Sequence, residues 1–159
     1  MTRNGTVRTV VASAAAALSL TLFACSGAHV ETKSEKDVNS AVQQHADNIT
    51  KVAAKPLEDP KMRSGPCTDP MGRDSDTVYT VQGVYNLAPP ATGTHLDILA
   101  KVRTDWTSKG YTITDDRTVA ADRGVLAAKT KDGYNLDIET ATPDGFAIII
   151  HSPCFERPD

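Results

Sequence analysis

The sequence predicts an α+β domain: a single, mostly antiparallel sheet of about five strands with two helices packed on one face. Three observations carry that expectation. Two segments place apolar residues at helical spacing behind capping signals. About five others have strand composition or alternation. The last strands follow one another through turn signals too short for helical crossovers, which makes them antiparallel neighbours.

In chain order, Ser34-Glu35-Lys36-Asp37 has the Ser-x-x-acid form that satisfies orphan amides at a helix start. Val38, Val42, Ile49, Val52 and Ala53 then recur at helical spacing with Ala41 and Ala46 beside them, and Pro56 ends the helix near Lys55. Residues 55–76 contain Pro56, Pro60, Pro66, Pro70, Gly65 and Gly72 without periodicity, so a long irregular loop is expected there. Thr77–Asn86 is rich in Val, Tyr and Thr and reads as a strand with Tyr79, Val81 and Tyr85 on one side. Gly83 marks a bulge or a close approach within it.

Pro89-Pro90 turns the chain, and Thr94-His95-Leu96-Asp97 repeats the capping form. Leu96, Leu99, Ala100, Val102 and Trp106 give the second helix its stripe, and Gly110 suits the left-handed stop. A strand starts at Tyr111, another covers Gly124–Thr130, and Lys131-Asp132-Gly133 signals a hairpin into the alternation of Tyr134, Leu136 and Ile138. After the turn signal Thr142-Pro143-Asp144-Gly145, the continuous apolar run Phe146–Ile150 is the expected central strand.

Composition bounds the function. The chain has 159 residues, enough for one domain, and a formal net charge of -3. That balance argues against a constitutive nucleic-acid partner, which needs a basic face. Aromatics at 5% leave little material for a stacking platform or an aromatic cage.

The N-terminus carries an address. Arg3 and Arg8 precede an uncharged run of 15 residues, Val10–Ala24. As a helix at about 1.5 Å per residue this run falls short of a hydrocarbon core of about 30 Å, so it reads as an export signal and not as a membrane span. Leu22-Phe23-Ala24-Cys25, followed by Ser26-Gly27, resembles the lipobox of bacterial lipoproteins. Phe23 is bulkier than the residue usual at its position. The resemblance implies that the Cys25 thiol takes a diacylglycerol, that palmitate-type acyl chains then anchor the protein to the cell membrane, and that cleavage removes residues 1–24. Residues 25–33 would be a lipidated tether and 34–159 a single extracytoplasmic domain. Without its signal the chain keeps 135 residues at a net charge of -5, so acyl chains and not headgroup attraction would hold it.

With Cys25 lipidated, Cys67 and Cys154 remain in a protein exported to an oxidising compartment. Two free thiols or a metal pair are the alternatives to a disulfide. Each Cys follows a Pro, the two are 87 positions apart, and no CxxC is present, a pattern that favours a staple.

Candidate chemistry is sparse. No partner at i, i+4 joins His29, His45, His95 or His151 into a zinc helix. Asp69, Asp74 and Asp76 lack the EF-hand order and read as turn residues, and Asp115-Asp116 with Asp122 reads as a solvated turn. Ser152 follows His151, but adjacent strand residues point to opposite faces. GxSxG, SxxK, HExxH, GxGxxG and Walker A patterns are absent. No metal, cofactor or catalytic residue is therefore expected.

Ser64-Gly65-Pro66-Cys67-Thr68-Asp69-Pro70, with Trp106-x-x-x-Gly110-Tyr111, Lys131-Asp132-Gly133 and Ser152-Pro153-Cys154, resembles the small secreted lipoproteins of actinobacteria. That resemblance implies a cell-envelope location and carries no common activity. The expected function is a non-enzymatic binding or interaction module, with an exposed sheet face around Tyr79 and Tyr85, or the 55–76 loop, as contact surface. The alternatives are an accessory subunit that docks on a membrane or envelope complex through its first helix, and an enzyme whose groups converge from separate elements.

Overall fold

A computed structural model describes residues 30–69 and 71–158. The expected export signal, Cys25 and His29 lie outside them. Ser34 caps α1 (Glu35–Ala53) by accepting from the Asp37 amide, and Ala54, in the left-handed region, closes it. Val38, Val42, Ala46, Ile49 and Ala53 form its buried stripe. Thr94 caps α2 (His95–Ser108) in a complete capping box: its hydroxyl accepts from the Asp97 amide while the Asp97 carboxylate accepts from the Thr94 amide.

The described residues form seven strands, two more than expected: β1 (Leu57–Thr68), β2 (Asp74–Leu87), β3 (Thr112–Ala120), β4 (Arg123–Lys129), β5 (Asn135–Thr140), β6 (Phe146–His151) and β7 (Phe155–Glu156). Their order is β1-β2-β6-β5-β4-β3, every named pair is antiparallel, and β7 pairs with β2 beyond the end of β6. α2 therefore carries the chain from β2, near one edge, to β3 at the other.

The segment expected as an irregular loop is a correction. Most of it is β1, paired with β2 from Leu57↔Leu87 to Thr68↔Asp74. Its two prolines are tolerated because β1 is an edge strand, whose outward amides have no ladder to maintain. The register shifts between Glu58 and Lys61, where Asp59 adopts a positive φ of 47°.

Both helices lie on the same face of the sheet. β2 presents Tyr79, Val81, Tyr85 and Leu87 to them, β4 Leu126 and Ala128, β5 Leu136 and Ile138, and β6 Phe146, Ile148 and Ile150, all buried. Of the two readings for Gly83, a bulge or a close approach, the close approach holds: a Cβ there would stand 2.5 Å from Val42 Cγ1.

The Cys67–Cys154 disulfide is formed, with Cα atoms 6.0 Å apart. It ties the outer part of the β1–β2 hairpin to the segment between β6 and β7. The last residues of the expected tether lie against β7. Thr32 forms a parallel bridge with Glu156, and the Lys33 amide donates to the Glu156 carbonyl at 3.1 Å. Tyr79 Oη donates to the Lys33 carbonyl at 2.9 Å, and the Lys33 ammonium stands 4.6 Å above the Phe155 ring. These contacts make residues 31–33 part of the folded unit, because the short β7 offers them a free edge.

Candidate functional site: the helix-free face of the sheet

The strand pleat sends alternate residues of the same strands away from the helices. On β2 these are Thr80, Gln82, Val84 and Asn86, and the register extends them into rows across the sheet. One row runs Arg63, Gln82, His151, Asn135 and Lys129, polar throughout. The next runs Lys61, Val84, Ile149, Asp137, Ala127 and Asp115. Val84 and Ile149 are half-buried with no helix above them, whereas Ala127 is 8% exposed. The face thus has a small apolar centre with charge on both sides.

Electrostatically the face is mixed, with Lys129 exposed beside Asn135 and Glu58 exposed at the β1 edge. Lys61, Arg63 and His151 lie toward the β1 edge. Asp137, Glu139 and Asp115 lie toward β3, where Arg117 pairs with Asp115 at 3.2 Å. Asp137 sits among β-sheet neighbours that strip its water, and this burial raises its carboxyl above the ordinary range, with His151 pulling the other way. Toward the β1 edge, Arg63, Ser64, Gly65, Thr80, Gln82 and His151 line a shallow hollow of about 330 Å³.

The expected contact residues are placed elsewhere. Tyr79 and Tyr85 do share a side, as their alternation requires, but it is the helix-covered side, where they are 1% and 0% exposed. Tyr85 Oη donates to Gln43 of α1 at 3.2 Å, and burial pushes its phenol up to about 12. Both are core residues with no exposed surface, and the opposite face of the same strand is the one the helices leave open. The apolar stripe of α1 is likewise packed on the sheet.

The remaining candidates are engaged within the fold. Asp69 accepts from the amides of Met71 and Arg73 and from the Arg73 guanidinium, while Asp74 accepts from Thr68 Oγ1, so these carboxylates hold the hairpin end. Ser152 Oγ is buried, accepts from the Val81 amide at 2.9 Å and donates to the Pro153 carbonyl, turned away from the neighbouring His151. His45 packs on Tyr134 with ring centroids 4.7 Å apart, and burial lowers its pKa.

One constellation has no signature in the sequence. His95, at the start of α2, faces Asp122 through Nδ1 and Asp144 through Nε2, each at 2.8 Å, and its ring lies tilted against Phe146 with centroids 5.2 Å apart. It joins the helix start to the β3–β4 and β5–β6 turns. Both ring nitrogens are thus held by carboxylates from separate turns. Among the described residues, no group of three His, Cys, Asp or Glu side chains is arranged to hold a metal. No helix among them is long and apolar enough to cross a membrane.

Comparison of the chain with protein-family models, with curated proteins and with solved structures finds no match.

Proposed function

We propose that this chain is a lipoprotein anchored at the extracytoplasmic face of the cell membrane, where it serves as a non-enzymatic binding module for a protein partner. The lipobox-like end of the apolar run supports the anchor, and Cys25 is the residue that takes the lipid. The single observation behind the binding role is the sheet face left bare by both helices, with Val84 and Ile149 half-buried at its centre and charged residues around them.

Its size favours a particular kind of contact. Six strands at a spacing of about 4.8 Å make a surface about 24 Å wide, which suits a reversible interface better than an obligate one. The hollow beside it is open and shallow, unlike the enclosing pockets that bury most of a small ligand. A flat, mixed surface of this kind fits a partner's surface or an extended segment of it.

The test has two parts. Cys25→Ala is expected to release the protein from the membrane fraction, and its full retention there would overturn the anchor. A photo-crosslinking residue in place of Ile149, in the anchored protein, is expected to give a discrete adduct with a single partner, while one in place of the exposed Lys51 of α1 gives none. Adducts from α1 alone would overturn the sheet face and favour an accessory subunit docked through that helix.

A further inference from the structure

We infer that the hollow at the β1–β2–β6 junction is a carboxylate subsite, and that the partner presents an acidic side chain or a free C-terminus to it. This rests on the reading of the bare face as the contact surface. Three strands bring its donors into one row: Arg63↔Gln82 between β1 and β2, and Gln82↔His151 between β2 and β6. None of these residues is near another in sequence.

Each donor has capacity to spare. Arg63 is exposed, and among the described residues it makes no ion pair and no side-chain hydrogen bond. The Gln82 amide donates one hydrogen to His151 Nε2 at 3.1 Å and keeps a second. In that arrangement the neutral imidazole carries its own proton on Nδ1, as a further donor. A guanidinium beside an amide and an imidazole matches the planar, two-oxygen geometry of a carboxylate. One full positive charge suits a monoanion better than a phosphate dianion. On this face Asp137 lies one row along and one strand beyond His151.

Gly65 forms the wall nearest the edge. A Cβ built there meets nothing within 4 Å, and its backbone lies outside the left-handed region, so a side chain would enter the open space without straining the strand. Gly65→Leu therefore fills the hollow while leaving the fold intact.

The experiment uses the full lipidated protein in detergent micelles and three peptides of matched length. One is blocked at both ends with a central Glu, one has Gln in its place, and one has Gln and a free C-terminal carboxylate. Calorimetric titration is expected to show saturable binding of at least one carboxylate peptide, with the Gln-only blocked peptide at least tenfold weaker. Arg63→Ala and Gly65→Leu are each expected to weaken that binding at least tenfold at unchanged Tm, and Arg63→Lys by less. The two carboxylate peptides tell an acidic side chain from a chain terminus. Equal binding of all three peptides, no binding of any, or tighter binding of inorganic phosphate would overturn the subsite. Should the Ile149 adduct form while no carboxylate peptide binds, only the subsite fails. Peptide binding without an adduct leaves the subsite and removes the protein-partner reading.

Discussion

Ile148 and Ile149 are neighbours on β6 with identical side chains and opposite surroundings. Ile148 is 0% exposed beneath the helices, whereas Ile149 is half-buried on the bare face. The covered face is closed by the two helices, α1 over β2 and β6 and α2 over β3 and β4. The bare face keeps a smaller apolar centre that only its own sheet neighbours shield. A side chain of this type stabilises in proportion to the contacts it loses when cut back, so one strand carries both a core position and a surface available for contact.

The sharpest break in that contrast is expected from truncation. Ile148→Ala should cost about 2–5 kcal/mol, as buried aliphatic truncations do, while Ile149→Ala should cost less than about 1 kcal/mol. Paired urea titrations of the two variants check this, and similar losses at both sites would mean that the bare face is a second core.

Next in size is the glycine pair. Gly83→Ala drives a methyl against Val42 and the Tyr85 ring, where contacts of 2.5 Å and 2.8 Å cannot stand, and should cost about 1–3 kcal/mol. The same change at Gly65, on the open side, should be neutral or stabilising by up to about 1 kcal/mol, since it only restricts the unfolded chain.

The smallest effect sharpens the electrostatics of the bare face. Burial raises the Asp137 carboxyl, so the folded chain holds that proton to higher pH than the unfolded chain does. Its contribution is then favourable in acid and is lost as pH rises from about 3.9 through the raised folded value. Asp137→Asn is expected to raise Tm at neutral pH, with the difference closing near pH 3. A difference that does not change with pH would mean that Asp137 is as well hydrated on the sheet as in the unfolded chain.

Local signals were read well where the physics is local. The caps at Ser34 and Thr94 act within four residues, and both helices begin where those residues stand. β5 alternates because one side of it is buried, and β6 is legible as an unbroken apolar run. β1 has no such pattern, since most of it is exposed on both sides at the sheet edge, and its prolines point away from a strand until the edge position is known. β7 has two residues, too few for any periodicity. The placement of Tyr79 and Tyr85 shows a different limit: alternation puts residues on one side together without saying which side the helices will cover.

What the sequence determined by itself was therefore the α+β class, the helix starts, the glycine approach at Gly83 and the staple between Cys67 and Cys154. Each depends on interactions near in the chain or on a count of cysteines. Only the tertiary structure decided which sheet face stayed bare, that His95 would meet Asp122 and Asp144, and that Arg63, Gln82 and His151 would share a row. Those arrangements follow from strand order and register, which are fixed by pairing between distant segments and leave no trace in any local window.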